Sequence, residues 1–243
     1  MNLIIDIGNS LTKVAIFNNN ELIDLKIFED LMVCDIEFVL RNYPETKNCI
    51  VSVTGSFEKN LQQYLKNTFP NLIELSGFTP LPFINNYETK QTQGSDRIAG
   101  VAGSQLQFPK SNVLIIDAGT AITYDFIDKN GNYLGGNIAP GLEMRFKALN
   151  SFTKKLPLLK KIDNFELLGN NTQQAIISGV QNGIIFEIEG YISTLQKKYT
   201  EVKVIITGGD ADFLAGKIKS AIFVNKNIVL SGLNQILDYN TIE

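Results

Sequence analysis

An internal repeat constrains the fold of this chain more strongly than any other feature of its sequence. Residues 3–12 read LIIDIGNSLT and residues 114–123 read LIIDAGTAIT, so each residue of the second copy follows its counterpart by 111 positions. A fixed internal offset of this kind is typical of a duplicated structural unit. The sequence therefore predicts two similar halves, residues 1–110 and residues 111–243.

Each copy of the repeat predicts a β-meander at the start of an α/β half. An apolar strand leads into an Asp-x-Gly turn, a second strand follows, and a turn rich in asparagine or glycine precedes a third strand. Such run lengths and turn residues are typical of β-hairpins. Helices and strands alternate after each meander, which predicts an α/β fold built from two similar halves with a cleft between them.

Periodicity and turn residues predict the remaining elements. Helices are predicted over residues 36–41, 57–66, 96–107, 142–149, 172–199, 214–219 and 228–237. Strands are predicted over residues 49–53, 72–75, 202–206 and 222–224. Residues 77–93, which contain Pro80 and Pro82, are predicted to be a loop, and residues 154–171 an excursion with weak periodicity.

The composition excludes several kinds of catalysis. The chain has no histidine, which removes Ser-His-Asp and Cys-His catalysis and histidine-ligated zinc. Any general base must therefore be a carboxylate, a lysine, a tyrosine or a cysteine. Cys34 and Cys49 lack the spacing of a metal site, and we expect them to be buried thiols in a reducing compartment.

The net charge and the hydropathy of the sequence limit which partners and which cellular location we expect for the protein. The formal net charge is −3, so there is no basic surplus to neutralise a nucleic-acid backbone. The N-terminus has an acid at Asp6 and no basic start, which argues against a signal peptide. No apolar run approaches the roughly 20 residues of a membrane span. We therefore expect a cytoplasmic protein that binds neither nucleic acid nor a membrane.

The first acidic turn has the residues of a phosphate site. Gly8 allows backbone to approach a phosphate closely, and Ser10 and Thr12 offer hydroxyl groups. Lys13 adds a positive charge, and Asp6 offers carboxylate oxygens to Mg²⁺, directly or through water. The alternative is a plain hairpin turn in which these residues serve only the geometry of the chain.

The second copy of the turn, which starts at Asp117, favours the phosphate interpretation. Two acidic turns at matching places in two halves are expected to face each other across the cleft and to hold the phosphates of one nucleotide. Facing carboxylates repel each other unless a cation lies between or beside them. The repeat thus predicts a cation–phosphate site, and the alternative is a duplicated fold that has lost its ligand.

Three further motifs carry candidate chemistry. Residues 94–97 open a helix, where Asp96 is either a helix cap, which spacing alone favours, or a general base beside the anion-binding Arg97. Residues 135–141 form a loop rich in glycine that is a structural turn or lines a pocket. Residues 205–212 have a glycine pair between a strand and a helix, where an adenosine can pack on bare backbone.

Together and in this order, the motifs resemble those of the type III pantothenate kinases. That family has D-x-G-N-[ST], Y-x-x-P-x-x-L-G-x-D-R, D-x-G-T-A-x-T, G-G-x-I-x-P-G, a threonine that opens a helix with S-G further on, and a late G-G-[DN]. The corresponding segments are residues 6–10, 87–97, 117–123, 135–141, 172–179 and 208–210. The match spans residues 2–237, and it departs from the pattern at Lys90 and Gln93, where the family has proline and leucine.

The resemblance implies a duplicated actin-like (ribonuclease H-like) ATPase fold with a nucleotide cleft between its halves. It also implies ATP-dependent phosphorylation of the primary hydroxyl of pantothenate, the first step towards coenzyme A. The implied cofactors are ATP with Mg²⁺ or another divalent ion, and a monovalent cation, potassium or ammonium, bound by Asp117. A homodimer with the pantothenate pocket at or near the subunit interface is implied as well.

The resemblance also assigns roles to individual residues. The implied ATP contacts are Asp6, Ile7, Gly8, Asn9, Ser10, Leu11, Thr12, Lys13 and Thr120. The implied pantothenate contacts are Tyr87, Gly94, Ser95, Asp96, Arg97 and Thr172. Asp96 would accept the proton of the substrate hydroxyl.

Two other functions stay open at this point. One is a kinase of the same superfamily that acts on a sugar or another acid, and the match of residues 87–97 to the pantothenate family argues against it. The other is a non-catalytic regulatory or binding relative on the same fold. Such a protein would be expected to lose the acids of the site, whereas Asp6, Asp96 and Asp117 are all present.

Overall fold

A computed structural model describes residues 1–241 of the protein, which form two compact units. The first unit comprises residues 1–109, 131–134 and 227–241, and the second unit comprises residues 110–130 and 135–226. Among residues 1–241, no helix is both long enough and apolar enough to cross a membrane.

The elements follow one another along the chain in three stretches. The first stretch contains β1 (Asn2–Ile7), β2 (Thr12–Asn18), β3 (Glu21–Phe28), α1 (Val33–Asn42), β4 (Asn48–Val53), α2 (Lys59–Thr68), β5 (Ile73–Glu74), β6 (Ile84–Asn85) and α3 (Ser95–Gln107). The second contains β7 (Asn112–Ala118), β8 (Ala121–Ile127), β9 (Asn132–Pro140), α4 (Leu142–Ser151), α5 (Thr172–Lys198), β10 (Val202–Thr207), α6 (Ala211–Ala215) and β11 (Phe223–Val224). Helix α7 (Ile228–Thr241) then returns the chain to the first unit.

Strand β1 is the central strand of the sheet in the first unit, whose order is β3-β2-β1-β4-β5. It pairs antiparallel with β2 and parallel with β4. Its residues Ile5 and Ile7 are buried in one apolar cluster with Val39 of α1 and Leu65 of α2. Because successive side chains alternate between the two faces of a strand, Asp6 lies on the opposite face from Ile5 and Ile7.

The second unit repeats this arrangement of strands. Strands β9, β8, β7, β10 and β11 lie side by side in that order, with β7 antiparallel to β8 and parallel to β10. The parallel register pairs Asp6 with Ser52 in the first unit and Asp117 with Thr207 in the second. The predicted α/β architecture with two similar sheets is therefore confirmed.

Helix α5 supplies much of the core of the second unit. Its residues Ile184, Ile188 and Ile192 are fully buried at intervals of four, so they form one apolar face. This face belongs to the same cluster as Leu114 and Ile116 of β7. The amphipathic pattern of the helix and the apolar run of the strand thus account for their packing.

The segment predicted as a loop before α3 contains regular structure. Residues 77–93 include β6 and a 3₁₀ turn at Lys90–Thr92, so the prediction of a plain loop is wrong. Strand β6 forms because its backbone pairs with the chain around β9: the Ile84 N–H donates to the Gly131 carbonyl at 2.8 Å. That partner is far away in the sequence, and a local pattern cannot reveal it.

Two other local predictions also differ from the structure. The helix predicted over residues 214–219 is wrong, because α6 spans Ala211–Ala215 and has Gly216 as its C-cap. Cys34 is exposed rather than buried, because it lies on the outer face of α1, whereas Cys49 is buried in β4 as predicted.

Residues 154–171 contain no helix or strand, and α5 supplies contacts that fix part of their path. The Gln181 side chain of α5 is fully buried and exchanges two hydrogen bonds with the backbone of Ile162, at 2.9 Å and 3.0 Å. A buried amide that is satisfied at both its oxygen and its nitrogen holds its backbone partner in one orientation. The excursion is therefore attached to the core helix through Gln181.

Helices α3 and α7 of the first unit cross in direct backbone contact. A Cβ atom at Gly232 would lie 1.8 Å from the Ala99 carbonyl oxygen, and one at Gly103 would lie 2.1 Å from the Ile228 carbonyl oxygen. No side chain fits at such distances, so only glycine permits this approach. The crossing fixes α3, which begins at the predicted site residues, against the C-terminal helix.

The crossing generates a prediction about stability. We expect Gly232→Ala to lower the free energy of unfolding by about 1–3 kcal/mol, because the added methyl group overpacks the contact. The matched control is Gly190→Ala in α5, where no heavy atom lies within 4 Å of the new Cβ. The free energy of unfolding of that control is expected to rise by about 0.5–1 kcal/mol, since alanine is a better helix former than glycine. Chemical denaturation measures both, and equal effects on the two variants would contradict the prediction.

Candidate active site

The first acidic turn connects β1 to β2 and is closed by backbone contacts. The Gly8 N–H donates to the Leu11 carbonyl at 3.0 Å. Behind the turn, the Thr54 N–H donates to the Ile7 carbonyl at 2.9 Å, and a Cβ at Gly55 would lie 2.4 Å from the Gly8 carbonyl oxygen. The turn is therefore held by backbone packed on backbone from the segment that follows β4.

The same turn lines an open cleft of about 610 Å³. Asn9 and Ser10 are exposed on it, and Thr12 also contributes to the lining although its exposure is only 6%. Lys13, the next residue, is half-buried. Backbone amides in a turn and exposed polar side chains are groups that can contact a phosphate. The geometry of the turn is thus compatible with the predicted ATP contacts in this segment.

Asp6 lies half-buried at the end of β1, and its carboxylate is poorly solvated. Its Oδ1 atom is buried and has no hydrogen-bond partner among residues 1–241. Burial raises the pKa of Asp6 above its ordinary value, and the negative charge of Asp96 raises it further. A hydrogen bond from Ser52 and the positive charge of Lys13 lower the pKa in part. The result is an acid whose charged form would gain from a nearby cation.

Asp96 lies in the first turn of α3 and acts electrostatically on Asp6. The N-cap residue of α3 is Gly94, which makes no side-chain cap bond. The Asp96 Oδ1 atom accepts a hydrogen bond from the Arg97 N–H at 2.8 Å, so it satisfies one free donor of the helix start. Asp96 thus stabilises the helix terminus and also belongs to the environment of Asp6, and the two interpretations of this residue are compatible.

Two tyrosine hydroxyls orient the side chain of Arg97, which is only 5% exposed. Its Nη1 donates to the Tyr87 hydroxyl at 3.4 Å and its Nη2 donates to the Tyr133 hydroxyl at 3.1 Å. The two rings stack with their centroids 6.2 Å apart, and the guanidinium lies 5.3 Å from the centre of the Tyr87 ring. A guanidinium over an aromatic face is stabilised by the ring quadrupole. Tyr87 and Arg97, both predicted as substrate contacts, are therefore in direct contact.

The loop that carries Tyr87 is braced at the two positions where it departs from the family pattern. Gln93 is buried, and its Oε1 accepts a hydrogen bond from the Asn85 side chain at 2.8 Å. The Asn85 Oδ1 accepts one from the Tyr87 N–H at 3.0 Å. The Lys90 carbonyl packs on Gly77, where a Cβ would lie 2.1 Å from its oxygen. These contacts restrain the loop without the proline and the leucine.

The second acidic turn brings together three predicted motifs within the second unit. The Asp117 Oδ1 atom lies 2.5 Å from the position that a Cβ would take at Gly208, whose φ is +92°. A Cβ at Gly141 would lie 2.4 Å from the Thr120 carbonyl oxygen. Each glycine is thus required by a close approach. The acidic turn, the loop before α4 and the glycine pair after β10 therefore meet around Asp117.

Thr120 and Thr172 are both exposed on the second unit. Thr120 belongs to the second acidic turn. Thr172 is the first residue of α5, and the N-cap Asn171 accepts a hydrogen bond from the Gln174 N–H at 3.0 Å. The predicted helix start at Thr172 is confirmed, and both hydroxyls are accessible to a ligand.

The first acidic turn suits the divalent ion that the family resemblance implies. Asp6 has a buried carboxylate oxygen without a hydrogen-bond partner among the described residues, and divalent ions prefer carboxylate oxygens. Asp117 lies against Gly208, where a Cβ would come within 2.5 Å of its Oδ1 atom. The fit to a bound cation therefore rests on Asp6.

Three contributors to this region were not predicted from the sequence. Tyr133 is fully buried in β9 and has the character of a core strand residue, so nothing local marks it as a partner of Arg97. Ser52 and Asn85 are ordinary polar residues at the ends of short strands. The parallel register of β1 and β4 would have paired Ser52 with Asp6, but register is not readable from a single sequence.

Comparison with known proteins identifies relatives over the whole chain. The family model described as Type III pantothenate kinase matches residues 2–194. A Type III pantothenate kinase from Phocaeicola vulgatus is 46% identical over 240 residues, which cover 99% of this chain and 99% of the relative.

Two solved structures extend the comparison to the fold. A conserved candidate Baf family transcriptional activator from Campylobacter jejuni superposes with a TM-score of 0.62 at 26% identity, covering 98% of each chain. A glucokinase from an Antarctic psychrotroph superposes with a TM-score of 0.55 at 13% identity, covering 99% of each chain, and shows the fold alone.

The fold that these structures share is the duplicated actin-like fold of ATPases and sugar kinases, as the family resemblance implied. The family model covers most of the sequence, and the relative from Phocaeicola vulgatus aligns with nearly all of it. The chain belongs to the type III pantothenate kinase family.

Proposed function

We propose that this protein transfers the γ-phosphoryl group of ATP to the primary hydroxyl of pantothenate, the first step of coenzyme A biosynthesis. Membership of the type III pantothenate kinase family supports the reaction. The observation that carries it at the level of residues is the buried Oδ1 atom of Asp6, at the first acidic turn, which has no hydrogen-bond partner among residues 1–241. A carboxylate that holds the divalent ion of the nucleotide and a carboxylate that accepts the proton of the hydroxyl are the two acidic groups that this reaction uses, and Asp6 and Asp96 supply them.

Asp96 is the proposed base for the hydroxyl of pantothenate. Phosphoryl transfer passes through a loose transition state, so catalysis depends mainly on positioning and on neutralisation of charge. The proton of the attacking hydroxyl leaves late, and a carboxylate with an ordinary pKa can accept it. The absence of histidine from the sequence is therefore compatible with the reaction.

The proposed ATP contacts are residues 6–13 of the first unit and Thr120 of the second. The turn between β1 and β2 supports the first part of this assignment, because Gly8, Asn9 and Ser10 line an open cleft. A divalent ion held near Asp6 and a monovalent ion, potassium or ammonium, held by Asp117 would offset the negative charge of the phosphates. The Oδ1 atom of Asp6, which has no hydrogen-bond partner among residues 1–241, supports the first position, and the family resemblance supports the second.

The proposed pantothenate contacts are Tyr87, residues 94–97 and Thr172. Tyr87 stacks on Tyr133 and accepts a hydrogen bond from Arg97, which supports a pantothenate site that is formed before the substrate binds. A guanidinium that is already oriented loses little freedom when it binds a carboxylate, and pantothenate has a carboxylate group.

A homodimer is part of the proposal, and the second unit has a surface that suits it. A groove of about 710 Å³ on α5 and the 154–171 excursion is lined in part by Leu167, Ile185 and Phe186. Leu167 is 64% exposed and Phe186 is 59% exposed. Large apolar side chains exposed together are typical of protein interfaces.

Two alternatives compete with this proposal. A kinase with another acceptor would keep the ATP residues but would not need the arrangement of Tyr87, Asn85 and Arg97. A regulatory protein would agree with the likeness to the candidate transcriptional activator from Campylobacter jejuni, which is 26% identical. The retention of Asp6, Asp96 and Asp117, and the higher identity to a pantothenate kinase, favour the kinase.

The first prediction concerns the reaction and its monovalent cation. We expect purified protein to release ADP from MgATP only when pantothenate is present, and to do so in potassium but not in sodium alone. A coupled ADP-release assay in the two salts measures this. Equal turnover in both salts would retain the kinase and remove the potassium site at Asp117. No turnover from folded protein that binds ATP would favour one of the alternatives.

The second prediction concerns the base. Asp96→Asn is expected to lower kcat by about 10²–10⁴-fold, because the acceptor for the hydroxyl proton is lost, while ATP binding and the melting temperature change little. Glu37→Gln, at an exposed carboxylate of α1, is the matched control and should keep full activity. Full activity of a folded Asp96→Asn protein would refute the role of this residue.

The third prediction separates function from stability at Asp6. Asp6→Asn is expected to abolish turnover and yet raise the melting temperature by about 2–4 °C, which corresponds to about 1 kcal/mol. The reason is that burial and Asp96 both disfavour the charged carboxylate. The pKa of Asp6 is raised in the folded protein, so the wild type regains this stability as the pH falls through that pKa. The difference in melting temperature between Asp6→Asn and wild type should therefore be largest at neutral pH and should shrink in acid.

The fourth prediction concerns the dimer. Phe186→Glu should convert a dimer to a monomer, because a carboxylate would be buried in an apolar contact. Phe38→Glu changes a similarly exposed phenylalanine of α1, 54% exposed, and should leave the dimer intact. Sedimentation velocity measures both, and a wild-type protein that is monomeric at micromolar concentration would contradict the proposed homodimer.

A further inference from the structure

Two buried serine hydroxyls lie between the Asp6 carboxylate and the start of α3. Ser52 is fully buried in β4, and the parallel register pairs it with Asp6. Ser95 is the first residue of α3 and is 5% exposed. Their hydroxyl oxygens are 3.0 Å apart, which is a hydrogen-bond distance. We call this pair, Ser52 and Ser95, the serine bridge.

The Ser95 hydroxyl is also bonded to the end of β4. The Val53 N–H donates to the Ser95 Oγ at 3.1 Å, and the Ser95 Oγ lies 3.3 Å from the Val53 carbonyl oxygen. A hydroxyl has only one proton to donate, and either serine can be the donor in the bond between Ser52 and Ser95. Ser52 in turn lies beside Asp6 in the register of β4 and β1.

Ser95 also joins the start of α3 to the end of β4. Strand β5 pairs with β4 only at Ile50 and Val51, so Val53 extends beyond the last pair. Ser95 contacts both the N–H and the carbonyl of Val53 in place of a neighbouring strand. The side chain of Ser95 is thus occupied by these contacts within the first unit, so its proposed contact with pantothenate would come from its backbone. The residue that follows it in the helix is Asp96.

We propose that Ser52 and Ser95 are positioning residues that set the separation between the carboxylates of Asp6 and Asp96 for phosphoryl transfer. The inference rests on the proposed kinase function, in which these two acids serve the phosphates and the acceptor hydroxyl. Asp6 is paired in register with Ser52, Ser52 is hydrogen-bonded to Ser95, and Ser95 directly precedes Asp96. These contacts join the strand end that carries Asp6 to the helix start that carries Asp96. Misplacement of a reacting group by about 1 Å lowers a rate by about 10²-fold.

The test compares Ser52→Ala, Ser95→Ala and the double variant with wild type in the pantothenate-dependent assay. Each single variant is expected to lose about 10–100-fold in kcat, because the reacting groups are misplaced after the substrates have bound. The KM values for ATP and pantothenate should change by no more than about threefold. The double variant should lose no more than the more impaired single variant, because both residues act through one chain.

Two further variants separate positioning from general loss of stability. Ser104→Ala removes another fully buried hydroxyl of α3, one that donates to the Val101 carbonyl of its own helix at 2.7 Å. It should keep the kcat of wild type even where its melting temperature falls as far as that of Ser95→Ala. Ser95→Thr keeps the hydroxyl group and should restore most of the lost kcat.

Several outcomes would overturn the inference. One is an unchanged kcat in folded Ser52→Ala and Ser95→Ala, and another is a rise in KM without a fall in kcat. The inference also fails if the kcat losses of the single variants multiply in the double variant, or if Ser104→Ala loses as much kcat as Ser95→Ala. If wild-type protein shows no turnover with pantothenate, the proposed function fails and the inference fails with it. An active wild type with fully active serine variants removes only the role of the serine bridge.

Discussion

The partly desolvated charge of Asp6 is the constraint on which the arrangement of the first unit depends. A carboxylate at the end of a central strand is unfavourable unless hydrogen bonds, a cation or a positive side chain offset the loss of water. The structure supplies a hydroxyl from Ser52 and the charge of Lys13, and it leaves the Oδ1 atom without a partner among residues 1–241. Such an incompletely satisfied acid is understandable at a site that completes its contacts with a charged ligand.

The duplication clarifies why the acid lies where it does. In each unit the strand whose penultimate residue is the aspartate lies inside its sheet, with an antiparallel partner on one side and a parallel partner on the other. The parallel partner of Asp6 is Ser52, and the parallel partner of Asp117 is Thr207, so each acid has a hydroxyl residue beside it. Both halves therefore place a hydroxyl residue beside the aspartate near the end of a buried strand.

The sequence was informative wherever the signal is local. Glycines at Gly8 and Gly119, the lengths of the apolar runs and the repeat itself predicted both meanders and the α/β class. The starts of α3 and α5 could be predicted to within one residue for the same reason, because helical periodicity is a local property. The resemblance then implied roles for residues that no local pattern distinguishes, such as Thr172.

Contacts between distant segments could not be predicted from the sequence. The stacking of Tyr87 on Tyr133, the pairing of Ile84 with Asn132 and the bond between Ser52 and Ser95 all join segments that only the folded sheet brings together. Arg97 illustrates the difference: its type suggested an anion clamp, but the two tyrosine hydroxyls that orient it come from a loop and from β9. Register and crossing geometry decide such contacts, and neither is encoded in a single short motif.

The placement of α7 has a consequence for the order in which the protein can fold during synthesis. Helix α7 is the last element of the described chain, yet it packs by bare backbone on α3, the helix that begins with the candidate substrate residues. Domains generally form on the ribosome from the N-terminus onward. Here the sheet of the first unit can assemble early, but α3 lacks its partner until the whole second unit has been made. Asp96, the proposed base, therefore reaches its final setting only after the second unit has been made, and a chain that stops before α7 would have the first acidic turn without a fixed α3.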